Sequence, residues 1–366
     1  MISHTAVPLS VGAMLDDLRT LVELESPSGD PTALAGSAEA VAGILENRLG
    51  GRAVLVEGEA GPHVHWSGGG EPRVLILGHH DTVFPLGTLE RRPFAVEEGR
   101  VTGPGVFDML GGLVQAIHGL AALEDLTGVE ILVTCDEENG SHTSRDLIEE
   151  RARACGAALV FEGAAEGGGL KTGRKGCGTF EVLITGQASH AGLEPEAGVN
   201  ALIEAAHQVL RIDAMSRPEA GTTVTPTIAS AGTQSNVVPA EATVVVDVRV
   251  ESGDEKDRVE AAFAALAPHV EGAVIEVRGG VSRPPMPESA AVDLFAMASR
   301  LLPGIEAVAV GGGSDGNFTA ALEVPTLDGL GAVGGGAHAD HEYLLVESMV
   351  ERAILVTGLV AAIRTA

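Results

Sequence analysis

VLILGHHDTV, residues 74–83, sets five residues with no charged or hydrogen-bonding side chain directly before two histidines and an aspartate. A continuous apolar run of this length, without polar alternation, is the pattern of a strand buried on both faces of a sheet. In open α/β sheets ligands gather at the carboxyl ends of such strands, which is where His79, His80 and Asp81 fall. The arrangement recurs twice: Val129 to Val133 leads into CDEEN at 135–139, and AALVF at 157–161 ends in Glu162. Three apolar runs therefore finish in histidine or carboxylate.

Outward from these runs the chain reads as α/β. Helical spacing of apolar residues over 11–25 and from about Thr32 to Leu49 places two helices before the sheet, separated by the turn residues PSGD at 27–30. FAVEEGRVTGPG at 94–105 reads as a small hairpin, after which a helix is expected to begin at Asp108 and run to about Leu123; a further helix is expected from about Ser144 to Arg153. From Lys175 the style changes to strand (179–185), helix (198–211), strand (222–230), strand (242–250), helix (254–266) and strand (273–278), the order of a ferredoxin-like α+β domain. SRPPMP at 282–287 reads as a return linker, and alternating helices and short strands resume from Ser289. The expected organisation is a first domain in two parts, 1–174 and 285–366, with 175–284 inserted. The sequence shows no internal repeat and no GxxxxGKS loop, which argues against a nucleotide enzyme.

Composition narrows the partners. Twenty-three Lys and Arg against 51 Asp and Glu give a net charge of -28, which disfavours nucleic acid and anionic membrane. No run of 18 apolar residues occurs, and MISHTAVPLS lacks a basic segment followed by an apolar core, so a cytoplasmic protein is expected. Cys135, Cys155 and Cys177 are odd in number and widely spaced, which fits reduced structural thiols.

The chemistry lies in the polar ends. Glu137 and Glu138 are adjacent, and neighbours on a strand point to opposite faces, so they are expected to hold different jobs. His79 and Asp81 are two apart and share a face, where Asp81 can fix the imidazole tautomer while the free nitrogen takes a metal; His80 points away. His79, Asp108, Glu138, Glu162 and His338 each have an ordinary reading alone, as core histidine, helix cap or surface acid. Together they supply the nitrogen and oxygen donors that zinc accepts, enough for two ions sharing one carboxylate. Glu137 is left over as a base for a bridging water, and three carboxylates with a bridging hydroxide balance two divalent charges.

GHHDTV (78–83), GPGVFDMLGG (103–112), CDEENGS (135–141), FEG (161–163), ASHAG (188–192), SNVVPAEA (235–242) and GGAHAD (335–340) together resemble, in order and over nearly the whole chain, the motifs of the di-zinc aminoacylase and carboxypeptidase family. GQASHAGLEPEAGVNALIEA is most similar to the bacterial glutamate carboxypeptidase branch. The resemblance implies a zinc-peptidase-like domain with a mixed central sheet flanked by helices, and an inserted lid and dimerisation domain. It implies His79 and Glu162 on one zinc, Glu138 and His338 on the other, Asp108 bridging, Asp81 orienting His79, and Glu137 as base. Cobalt or manganese is an alternative load.

The resemblance further implies that His190 reaches the active site of the partner subunit in a homodimer, and that Asn236 and Arg249 bind a substrate carboxylate. Arg249 is expected as an isolated guanidinium supplying bidentate recognition against the protein's overall negative field. Arg283 is a second candidate for a side-chain carboxylate, or a linker residue. Ser314 in GGGSDGN is not read as a nucleophile, because a metal-bound hydroxide makes a covalent nucleophile unnecessary. One departure stands out: after the bridging aspartate the family commonly has Asp or Met and then Lys, whereas here Met109 and Leu110 follow, removing a charge from near the site. The expected function is a metal-dependent hydrolase cleaving an amide beside a free carboxylate in a small peptide or N-acyl amino acid, most simply a glutamate carboxypeptidase. The alternatives are an N-acyl amino acid deacylase of the acetylornithine or succinyl-diaminopimelate type, and a catalytically silent metal-binding dimer.

Overall fold

A computed structural model describes residues 6–365. The chain divides into two compact units: the first holds the chain up to Gly173, Met286–Val310 and everything from Ser314, and the second holds Arg174–Pro285 with Gly311–Gly313.

The first unit is built on a six-stranded sheet in the order Val54–Val56, His63–Ser67, Val129–Thr134, Val74–His79, Ala157–Val160, Thr326–Leu327. The first two strands pair antiparallel with their neighbours and the last four are mutually parallel, so the sheet is mixed. Alternation along the buried strands feeds two cores. Val74, Ile76, Ile131 and Val133 pack toward Val11–Val22, Pro31–Leu49, Gly111–Ala121 and Ser348–Thr365. Leu75, Leu77 and Leu132 pack on the other face with Ile148, Ala152 and Phe318 of Arg145–Ala154 and Gly316–Ala321. Both faces being covered explains why these runs carry no polar alternation. Parallel register sets His79 opposite Thr134, so the polar segments following the two strands emerge side by side.

The Pro31–Leu49 helix starts where PSGD predicts a break, because the Asp30 carboxylate accepts from the Thr32 and Ala33 amides, both at 3.1 Å, ahead of a proline in the first turn. The expected helix from Asp108 is corrected: the regular helix is Gly111–Ala121, and Asp108 itself is extended (φ -119°, ψ 97°) inside a distorted turn at Val106–Leu110. The cause is distant in sequence. The Glu342 carboxylate accepts from the amides of Gly105 (3.0 Å), Phe107 (2.9 Å) and Asp108 (3.0 Å), which holds the turn open and leaves Asp108 free of a capping role. The hairpin of Ala95–Glu97 and Arg100–Thr102 forms as expected and extends into a second small sheet with Tyr343–Leu345 and Gly334–Gly335, the two strands that flank the His338 loop.

The second unit is a four-stranded antiparallel sheet in the order Thr223–Ala231, Glu241–Val250, Gly176–Thr185, Val274–Arg283. Helices Ala201–Asp213 and Gly253–Ala264 complete the strand–helix–strand–strand–helix–strand order of a ferredoxin-like fold. Here the strands alternate: Val244, Val246 and Val248 are buried with Phe180, Val182 and Phe263, while Val245, Asp247 and Arg249 stand on the partly open face.

Candidate metal centre

The polar ends of the buried strands converge. His79, Asp108 and Glu138 offer ligand atoms within 4.8 Å of one another, as do His79, Glu137 and Glu162. Asp108 presents one oxygen to each histidine: Oδ1 is 3.5 Å from His79 Nε2, and Oδ2 is 3.2 Å from His338 Nε2. His79 Nε2 is also 3.7 Å from Glu162 Oε1, and His338 Nε2 is 3.0 Å from Glu138 Oε2. Donors held at roughly 2.0–2.1 Å around a tetrahedral ion sit roughly 3.4 Å apart, so these separations fit ligands sharing a cation. His79 Nε2 and Glu138 Oε1 are buried without a hydrogen-bond partner among the described residues, which is the state of atoms reserved for a metal. The donor set therefore fits divalent ions.

Each group is positioned by identifiable contacts. His79 Nδ1 donates to the Asp81 backbone carbonyl at 2.9 Å, nearer than the Asp81 carboxylate at 3.3 Å, so the tautomer is set mainly by main chain. The Asp81 carboxylate instead accepts from the Ser28 hydroxyl at 2.6 Å and from the amides of Glu137 and Glu138, both at 3.2 Å. It thereby ties one strand end to the next. The two glutamates lie on a short 3₁₀ turn, Glu137–Asn139, beyond the end of the Val129–Thr134 strand. That corrects the expectation of opposite strand faces: a turn brings both toward the same pocket. His80 does point away, with Nδ1 3.1 Å from the Ser37 hydroxyl and Nε2 3.1 Å from the Pro62 carbonyl. Met109 and Leu110 are core residues; Met109 Sδ accepts from the His79 amide at 3.2 Å. Their side chains fill apolar space, so the departure at these positions leaves no uncovered gap.

Electrostatics follow from crowding acids in a dry pocket. Burial raises the Asp108 carboxyl, but His338 and His79 outweigh it and hold it below the usual range. Burial would lower His79, yet the carboxylates of Asp108, Asp81 and Glu162 hold it well above an ordinary imidazole. His338 is lifted to about 10 by Asp108 and Glu138. Glu138 is raised by burial and by its neighbours Asp108 and Glu137 against the His338 contact. A pocket that draws protons onto both imidazoles is one in which cations replace them.

The remaining candidates lie in the second unit. His190 is exposed, and its Nδ1 accepts from the Gly192 and Leu193 amides, both at 3.1 Å. Asn236 is exposed in the adjacent loop, whose carbonyl accepts from the Ala191 amide at 2.9 Å. Arg249 and Arg283 both stand opposite Cys177, one on each neighbouring strand. The expectation of an isolated Arg249 is corrected: its Nε and Nη2 pair with the two oxygens of Asp247 at 3.1 and 2.9 Å. VDVR alternation puts both side chains on one face, a local signal that predicts the pair. Arg283 is buried. Glu342 and Ser28 were not singled out from sequence, although Glu342 follows His338 by four residues. Another group, His63, Cys135 and Asp136, lies close together but is engaged internally, with His63 Nδ1 accepting from the Cys135 amide at 3.2 Å and Asp136 Oδ2 accepting from the Thr143 amide at 2.7 Å. Burial pushes the Cys135 thiol up, as befits a structural cysteine.

Two imidazoles, of His79 and His338, and four carboxylates, of Asp108, Glu137, Glu138 and Glu162, gather beside the strand ends of the mixed sheet, an arrangement that fits divalent cations. The profile of Peptidase family M20/M25/M40 matches residues 75–362, and the chain belongs to that family. It is 33% identical over 372 residues to carboxypeptidase G2 of Pseudomonas sp. strain RS-16, covering 95% of this chain and 88% of that protein. In fold it is similar to aminopeptidase PepT from Bacillus cereus (TM-score 0.78, 19% identity, 97% of this chain and 99% of that one). It is also similar in fold to YXEP of Bacillus subtilis, described as a dinuclear metal-binding peptidase of the M20 family (TM-score 0.66, 17% identity, 97% and 99%).

Proposed function

We propose that this chain is a di-zinc carboxypeptidase that releases a C-terminal glutamate or a similar amino acid. The observation that carries the reading is Asp108, whose two oxygens face His79 and His338 separately, so that it is the carboxylate that would serve both ions. In this reading His79 and Glu162 would hold one ion and Glu138 and His338 the other. When bound, the two ions would supply Lewis acidity toward the scissile carbonyl and the attacking water. Glu137, buried beside these ligands, takes the proton from that water and passes it to the leaving nitrogen. Asp81 keeps His79 in one tautomer and anchors the turn that carries Glu137 and Glu138.

In the same reading the second unit is a lid and dimerisation domain of a cytoplasmic homodimer. Its edge strand, Thr223–Ala231, leaves Ile228 exposed, and the helix Ala201–Asp213 leaves Leu202, Ile203 and Leu210 exposed, an apolar set suited to a second copy of the chain. With Nδ1 of His190 accepting two amides, the neutral ring carries its proton on Nε2, the atom needed to donate to a developing oxyanion in the neighbouring subunit. Asn236 and Arg249, with Arg283 as a further candidate, bind the substrate carboxylate.

Support also comes from carboxypeptidase G2, matched over most of both chains. The test is metal content per chain together with hydrolysis of glutamate-ended peptides, folate, acetylornithine, succinyl-diaminopimelate and hippurate. Two zinc equivalents with preference for glutamate-ended substrates is the expected result. Preference for acetylornithine or succinyl-diaminopimelate would reassign the chain as a deacylase, and bound metal without turnover would make it a binding protein.

A further inference from the structure

Glu342 is a buried acid with no ion to hold and three backbone amides to satisfy. Its Oε2 accepts from Gly105 at 3.0 Å, and its Oε1 accepts from Phe107 at 2.9 Å and Asp108 at 3.0 Å. Gly105 and Phe107 are buried themselves, so these donors have little water to turn to and would be costly to leave unmet. The arrangement also changes what Asp108 does. An aspartate ahead of a helix ordinarily turns its carboxylate back onto the amides of the first turn. Here the helix Gly111–Ala121 begins without a side-chain cap, and Asp108 stays extended with its oxygens toward His79 and His338 instead of toward main chain.

The same residue belongs to the loop that carries His338. His338 has a left-handed backbone (φ 62°), a conformation uncommon outside glycine. Two turns close the loop around it: the Ala339 amide donates to the Gly336 carbonyl and the Glu342 amide to the Ala339 carbonyl, both at 3.0 Å. With half of its side chain exposed, His338 relies on this loop for its place beside Asp108 and Glu138. We propose that Glu342 is a positioning residue of the metal centre: its carboxylate aims Asp108 and its main chain holds the His338 loop, so both ion sites depend on a residue that is a ligand of neither. The inference rests on Asp108 as the shared carboxylate.

The test is zinc retention by the loaded protein against a graded chelator, at a temperature where circular dichroism shows each variant folded. Glu342→Gln is nearly isosteric but has one acceptor oxygen, so its NH2 group meets a backbone N–H; the chelator concentration that strips half the zinc should fall about 10–100-fold. Glu342→Asp keeps the charge and withdraws the carboxylate by one methylene. It should also lose zinc more readily than wild type, which separates position from charge, and it carries the test if Glu342→Gln does not fold. Leu45→Ala, in the core under the helix Pro31–Leu49, is a destabilised control that should hold zinc as wild type does. Wild-type retention in Glu342→Gln, wild-type retention in Glu342→Asp, or a loss in Leu45→Ala as large as that in Glu342→Gln would each overturn the proposal. A wild type that retains no zinc would instead overturn the metal centre itself, and this inference with it.

Discussion

The two sheets of this chain solve the placement of polar groups in opposite ways. The inner strands of the six-stranded sheet are covered on both faces, so polar side chains gather at their ends: His79 closes its strand and Glu137, Glu138 and Glu162 follow theirs, while Glu130, within a strand, is paired with His65 and Ser67. The four-stranded sheet is covered on one face, so Asp247 and Arg249 stand along the body of a strand. Groups at the closed sheet are therefore tied into one another through buried contacts, whereas those on the open face can be exchanged with little cost to the fold.

The sharpest break of this contrast falls on the turn after the central strand. Glu137→Gln should lower kcat by about 10²–10⁴-fold with metal content unchanged, since a base is lost and no ligand is. Asp108→Asn should instead lose metal. Bound-metal analysis of both variants beside their rates separates the roles; normal turnover in Glu137→Gln would assign the base elsewhere.

Stability gives the next largest contrast. Leu132→Ala, in the core beneath the closed sheet, should cost about 2–5 kcal/mol, because the surrounding strands cannot collapse into the cavity. Val245→Ala, on the partly open face, should cost no more than about 1 kcal/mol. Urea unfolding of the two variants measures this directly, and similar losses would mean that the open face is covered in solution, as a dimer contact would do.

A smaller effect is expected at Arg249. Arg249→Met should lower kcat/KM about 10–100-fold on substrates with a free carboxylate and far less on the matching carboxamides, the range for one charged hydrogen-bond partner. Because Asp247 already holds the guanidinium, Asp247→Asn should shift the same discrimination rather than abolish it. Equal losses on acids and amides would leave Arg249 as a structural partner of Asp247.

The smallest effect is a pH dependence confined to metal-free protein. His338 is lifted to about 10 in the folded chain, above its unfolded value of 6.5, so the stability it contributes is fully present below about pH 6.5 and is lost as pH rises through about 10. Half of its side chain is exposed, so the change is modest. Chelator-treated protein should show Tm falling between pH 7 and pH 10, and zinc-loaded protein should show no such slope; parallel slopes would disconnect His338 from the metal.

By itself the sequence determined the elements whose signals are local. Largely apolar runs give strands closed on both faces, as in Val74–His79 and, with Glu130 as an interruption, Val129–Thr134; the change of periodicity after Lys175 gives the ferredoxin-like sheet; and polar residues at strand ends nominate the donors. The VDVR alternation also contained the Asp247–Arg249 pair. Tertiary structure alone decided the conformation of Asp108, because Glu342 holds its turn through hydrogen bonds across more than 200 residues of chain. It likewise decided that a 3₁₀ turn brings Glu137 and Glu138 to one pocket. Hydrophobic period is written residue by residue, whereas a side chain satisfying a distant backbone amide leaves no trace in either local stretch. It exists only once burial has removed water as the alternative partner.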